Sequence, residues 1–175
     1  MEKDFITEIF HSQTHGELSL SEIIIKIKEF LEEEPSYEYS LVIGTDSHEK
    51  NNVLKSKNNT KEINLVTALV IHRKGFGGKY FWRRQDKKNI HSLREKIYAE
   101  TLTSLTFASV FVPLFKNHLN GKALNYNLEI HVDVGEHGAT REMIKEVVGM
   151  VTGNGYVAKT KPEAYAASYV ADKHT

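Results

Sequence analysis

Two apolar strands in this chain each end on an aspartate, and a glutamate stands on the helix between them. Asp46 lies in Leu41-Val-Ile-Gly-Thr-Asp-Ser-His48, Glu100 in Arg94-Glu-Lys-Ile-Tyr-Ala-Glu100, and Asp133 in Leu128-Glu-Ile-His-Val-Asp-Val-Gly135. Carboxylates repel one another and resist leaving water, so acids that close apolar strands are costly unless positive charge sits among them. A divalent metal ion would meet that need. Taken singly, each aspartate reads as a cap or turn residue beside Ser47 or Gly135.

The glutamate weakens that simpler reading. Leu93, Ile97, Glu100, Ser104, Phe107 and Phe111 recur at alternating four- and three-residue spacings, which places Glu100 inside a largely apolar helical stripe. A carboxylate there needs a partner. Glu95 is a rival, but it stands three residues after Ser92, a capping-box arrangement that explains it without chemistry.

The order of elements says how the acids meet. After an irregular stretch from 1 to 17, Leu20, Ile23, Ile24, Ile27, Phe30 and Leu31 follow a helical period that ends at Pro35. Strands are expected at about 39–46, 63–72 and 80–84, with a mobile Lys/Asn-rich loop from Glu49 to Lys61 and a glycine-rich turn from Lys74 to Lys79. A long helix from about Ser92 to Leu114 follows, broken near Pro113 and Lys116. Then come a strand at 125–134, a helix at 140–152, a strand at 156–160 and a last helix after Pro162. This is an α/β fold whose mixed sheet joins a three-strand antiparallel meander to two parallel strands, five in all, flanked by helices. An N-terminal helical extension over 1–36 packs on a single domain over 37–175.

Strand side chains alternate, so Gly44, Asp46 and His48 share one side, as do Glu129, His131 and Asp133. Adjacent parallel strands would bring Asp46 and Asp133 together at the carboxyl edge of the sheet, where open α/β sheets bind ligands. The nearby His48 and His131 are further candidate ligands, and would favour Mn²⁺ or Zn²⁺.

Composition narrows the partners. The chain has 175 residues and no cysteine, which excludes disulfides, thiolate zinc sites and cysteine nucleophiles. Its longest apolar run, near Ser104 to Phe115, is short for a membrane span, and its start is acidic and lacks a secretion signal, so a cytoplasmic protein without membrane contact is expected. Net charge is zero, but residues 1 to 40 hold ten acids against three Lys/Arg, while residues 72 to 96 hold nine Lys/Arg against two acids. Arg83, Arg84, Lys87 and Lys88 lie in that basic stretch beside Phe76, Tyr80, Phe81 and Trp82, and interleaved cations and aromatics suit phosphates and bases. Alternate core-facing and solvent-facing residues explain the same stretch equally well. Arg141 and Lys145 open the helix after Asp133, where a phosphate would also be held.

The segments Ile43-Gly-Thr-Asp-Ser-His48, His131-Val-Asp-Val-Gly-Glu-His-Gly-Ala-Thr-Arg141 and Lys161-Pro-Glu-Ala-Tyr-Ala-Ala-Ser-Tyr-Val-Ala-Asp172 resemble the ribonuclease H-like superfamily, and within it the YkuK family of predicted ribonuclease H-like proteins. The resemblance implies a five-stranded mixed sheet whose first strand, first helix and fourth strand each give one metal-binding acid, here Asp46, Glu100 and Asp133. It also implies two Mg²⁺ or Mn²⁺ ions ~4 Å apart and cleavage of a nucleic-acid phosphodiester. A fourth acid is expected on the last helix. We take Asp172, because it shares a face with small residues, whereas the helix dipole accounts for Glu163 beside Pro162. Two alternatives remain on this fold: a binding module for nucleic acid or protein without turnover, and a phosphoesterase using Asp and His ligands around Mn²⁺ or Zn²⁺. RNA or DNA as substrate, and the oligomeric state, stay open.

Overall fold

The computed structural model describes residues 8–49, 61–122 and 124–175; the expected loop at 50–60 and the first seven residues lie outside the described residues. Among the described residues, seven strands form one sheet: β1 (Phe10–Ser12), β2 (Gly16–Leu18), β3 (Tyr39–Glu49), β4 (Lys61–Arg73), β5 (Gly78–Ile90), β6 (Tyr126–His131) and β7 (Val157–Lys159), in the order β2-β1-β5-β4-β3-β6-β7. The inner part is the expected meander plus two parallel strands. β3 pairs antiparallel with β4, and β4 with β5, while β6 runs parallel to β3 and β7 parallel to β6.

The sheet is wider than the expected five strands. Within and just beyond the stretch 1–17 read as irregular, residues 10–18 form a hairpin that joins β5 through His11 opposite Trp82. Strands of three residues are too short to show an alternating pattern, which explains why the sequence hides them. Phe10 is fully buried and holds the hairpin to the core.

β3 is covered on both faces. Tyr39, Leu41 and Ile43 face a large core shared with α1 (Leu20–Glu33) and α2 (Leu93–Leu119), while Val42 faces a second cluster with Val70 and Ala166. In α1 the stripe Leu20, Ile23, Ile24, Ile27, Phe30 and Leu31 is buried, each such side chain being worth roughly 1.5–3 kcal/mol. Its start is fixed by a capping box: Ser19 Oγ accepts from Glu22 N, and Glu22 Oε2 accepts from Ser19 N at 2.7 Å. The N-terminal stretch therefore packs on the core, though it holds two strands besides its helix.

The long helix does not break at Pro113. α2 continues to Leu119 and ends on Asn120 in the left-handed region, φ 49°. Pro113 forfeits one backbone hydrogen bond, but Phe115 and Leu119 are buried beyond it, and their burial offsets the loss. By length and composition α2 is apolar enough to cross a membrane, yet half of that stretch is buried inside the protein. Its apolar face is the one that packs on the sheet.

The chain then forms β6, a 3-10 turn at Arg141–Met143, α3 (Ile144–Gly153) and β7. The last segment lies on the face of the sheet opposite α2. It begins later than Pro162 and winds as a π-helical stretch, Ala166–Ala171, followed by a 3-10 turn, Asp172–His174. Its approach to β3 is close enough to require Gly44: a Cβ there would stand 2.6 Å from the backbone nitrogen of Ala167. Ala164, Ala166, Ala167 and Ala171 are all fully buried, so small side chains let this segment lie on the strands.

Candidate functional site

The last paired residues of β3 and β6 are Gly44 and His131. Two residues further along come Asp46, still within β3 and on the face of Gly44, and Asp133, just past the end of β6. Asp46 is 8% exposed, and Asp133 is half-buried. Glu100 reaches the same edge from α2, on the other face, and is 2% exposed. Its neighbours on the stripe, Ile97, Ser104, Phe107 and Phe111, are buried with it, although Leu93 is exposed.

The carboxylates share one electrostatic field. Burial pushes the Asp46 carboxyl up to about 6, with Asp133 and Asp172 adding to the rise and the Lys96 charge and the Ser47 backbone N–H opposing it. Burial pushes Glu100 up to about 7, against a hydrogen bond from Ser47 and the charge of Lys96, with Asp46 and Asp133 again raising it. Ser47 Oγ donates to Glu100 Oε1 at 2.6 Å, and Lys96 Nζ lies 3.6 Å from the same oxygen. Lys161 Nζ stands 3.0 Å from Asp133 Oδ2. The other oxygen of each of these two acids, Glu100 Oε2 and Asp133 Oδ1, is buried without a hydrogen-bond partner. Leaving such an oxygen unpaired costs several kcal/mol, a cost a bound cation would remove. In donor chemistry these residues fit a hard divalent ion. Among the described residues, however, no three Asp, Glu or His side chains draw close enough to make a ready ligand set.

Ser47, Lys96 and Lys161 were not anticipated. Ser47 alternates with Asp46 and so faces the helix, and Lys96 precedes Glu100 by one helical turn, so both were legible. Lys161 reaches Asp133 because the chain after β7 continues along β6, with Lys161 N donating to Val134 O at 2.8 Å.

Of the two histidines, His48 is exposed at the end of β3. His131 is buried, and both its ring nitrogens are engaged: Nδ1 accepts from Ala166 N at 3.2 Å, and Nε2 meets Glu129 Oε2 at 3.2 Å. An Nδ1 that accepts carries no proton, so Nε2 donates to Glu129. Burial lowers the His131 pKa, consistent with a neutral ring. In this arrangement both ring nitrogens are engaged, and the imidazole caps the C-terminal segment by satisfying an amide of its first turn.

The basic stretch also divides. Arg83, expected among the substrate-binding cations, is 1% exposed, ion-paired with Glu8 and bonded to Gln85 Oε1 at 2.7 Å. Arg84 is exposed on the opposite face and donates from Nε to the His174 carbonyl at 2.7 Å. The expectations for the Lys87 and Lys88 side chains lie outside the described residues. Arg141 and Lys145 are both exposed, on the 3-10 turn and in the first turn of α3.

Among the remaining acids, Glu95 caps α2, with its amide donating to Ser92 Oγ and its carboxylate accepting from His91 N at 2.7 Å. Glu163 pairs with Lys159 at 2.6 Å, away from the cluster, whereas Asp172 is exposed but close enough for its charge to act on Asp46.

A family model described as ribonuclease H-like matches residues 22–175. The chain is 30% identical to the uncharacterized protein YkuK of Bacillus subtilis strain 168, over 95% of this chain and 96% of that one. No solved structure matches it significantly.

Proposed function

This chain belongs to the ribonuclease H-like YkuK family, and on that premise we propose that it is a divalent-metal-dependent nuclease. The observation that carries the reading is the pair of buried, unpartnered oxygens, Glu100 Oε2 and Asp133 Oδ1, beside Asp46. Asp46, Glu100 and Asp133 would hold Mg²⁺ or Mn²⁺. The metal, when bound, would supply Lewis-acid polarisation of the phosphodiester and activation of a water, with two such ions being what the resemblance to ribonuclease H implies.

The residues of this chain prepare that chemistry. Ser47 orients Glu100 by donating to Oε1, which leaves Oε2 for a cation. Lys96 and Lys161 offset part of the negative charge. Because Asp46 and Glu100 hold their protons to about 6 and about 7, a cation would have to displace them, and its affinity would rise with pH across that range. Arg141 and Lys145 would hold the nucleic-acid backbone beside the acids, and Asp172 would position a water or support the metal from the last turn.

A second reading is a binding module for nucleic acid or protein without turnover. It draws on Lys96 and Lys161, which already neutralise two of the acids. One experiment separates the two: incubate the protein with labelled single-stranded, duplex and hybrid RNA and DNA, with Mg²⁺, Mn²⁺ or chelator. Cleavage that requires metal and disappears in a folded Asp46→Asn variant supports the nuclease. Binding without cleavage under every metal supports the module.

A further inference from the structure

We infer that Trp82, Arg84 and His174 form a latch that sets the position of Asp172 beside Asp46, an inference that rests on the proposed role of Asp172 in the nuclease site. Trp82 and Arg84 are alternate residues of β5 and so share the face on which the C-terminal segment lies. The His174 ring stacks on Trp82 with centroids 3.8 Å apart and planes 7° from parallel. Tyr80 adds a third ring, 5.7 Å from the imidazole. Arg84 Nε holds the carbonyl of the same residue at 2.7 Å. His174 is thus gripped by both ring and backbone.

Asp172 is held differently. Its side chain is exposed, so its place comes from the backbone on either side. On the inner side, Ala171 is buried in a cluster with Val66, Ala68 and Trp82. On the outer side, Asp172–His174 is a single 3-10 turn, so fixing His174 fixes the acid two residues earlier. A three-residue 3-10 turn has few backbone bonds of its own, so the stack and the Arg84 bond are what tie it to β5. Trp82 and Arg84 are therefore positioning residues: they act on the site only through where Asp172 stands.

The His174 Nε2 has no hydrogen-bond partner and the ring meets Trp82 face to face, so a phenyl group can replace it in the stack. That supplies the test. Steady-state cleavage of the nucleic acid found in the panel above is measured with Mn²⁺ for His174→Ala, His174→Phe, Asp172→Asn and the Asp172→Asn/His174→Ala double variant, alongside hydrogen exchange over residues 166–175. His174→Ala should lower kcat about tenfold with KM unchanged, the scale of losing a supporting residue. His174→Phe should keep wild-type kcat, and the double variant should be no slower than Asp172→Asn. Exchange over 166–175 should quicken in His174→Ala and not in His174→Phe. Additive losses in the double variant, or wild-type kcat in His174→Ala despite faster exchange, would overturn the inference. If the wild-type protein cleaves nothing, the nuclease reading falls, and the exchange data alone decide whether the latch exists: equal exchange in His174→Ala and wild type would refute it.

Discussion

Ser104 and Glu100 stand one turn apart on α2, both buried against β3, and their polar atoms fare very differently. Ser104 Oγ donates to Thr45 Oγ1 at 2.8 Å, and Thr45 in turn bonds Thr67 Oγ1 at 3.1 Å, so three hydroxyls from three elements are satisfied together. Glu100, two strand positions along at Ser47, has one oxygen bonded and the other unpartnered. The same helix and strand that pair small hydroxyls at one turn leave a carboxylate oxygen unpaired at the next. A fold able to satisfy its polar groups has no structural reason to keep such an acid. On the proposed reading, this contrast separates a ligand end of the interface at Glu100 from a scaffold end at Ser104.

The widest separation between the two ends should appear in cleavage. Asp133→Asn should cost on the order of a hundredfold or more in turnover, the scale of losing a group that manages transition-state charge, while Ser104→Ala keeps nearly full activity. Equal losses in both would erase the distinction. Steady-state rates with circular dichroism to verify folding give the answer.

Stability should move the other way. Asp46 and Glu100 have folded-state values of about 6 and about 7 against ordinary values of 3.8 and 4.5. Between those ordinary values and about pH 7 the folded protein holds more protons than the unfolded chain, so metal-free stability falls as pH rises through this window and levels off above it. Glu100→Gln removes the buried charge and should stabilise the metal-free protein by about 1–3 kcal/mol at pH 8 while having little effect at pH 4. Urea unfolding at the two pH values tests this; a Glu100→Gln protein less stable at pH 8 would mean the carboxylate is structural.

A smaller effect is expected at Lys161. Its amine competes for Asp133 and is about half exposed, so Lys161→Ala should tighten Mn²⁺ binding roughly fivefold, the equivalent of about 1 kcal/mol. Weaker binding would show instead that the lysine helps to build the site. Least of all, Ser104→Ala should cost about 1 kcal/mol of unfolding free energy, the usual worth of one hydrogen bond, at every pH. A pH-dependent cost would tie it to the acids.

Much of this was readable before folding. Periodicity placed Glu100 in a buried stripe, alternation put Asp46 and Asp133 on one face, and the order of elements gave the inner five strands. What escaped depended on partners distant in sequence. Arg83 looks like a surface cation until β1 and Glu8 are folded beside it, and the stretch before residue 17 carries too few residues per strand to announce a hairpin. His131 looks like a ligand until the C-terminal segment offers it the Ala166 amide. Helix periodicity after Pro162 could not foretell a π-helical winding, because that segment is shaped by its contact with Gly44.

Whether the unpartnered carboxylate oxygens take up a divalent cation is tested most directly by calorimetric titration of the metal-free protein with Mn²⁺ at about pH 6.5, where Glu100 still holds most of its proton, compared with the Asp46→Asn/Asp133→Asn double variant. Saturable binding with release of protons in the wild-type protein, absent in a double variant that remains folded, is the predicted result. No saturable binding in the wild type, or equal binding in both proteins, would contradict it.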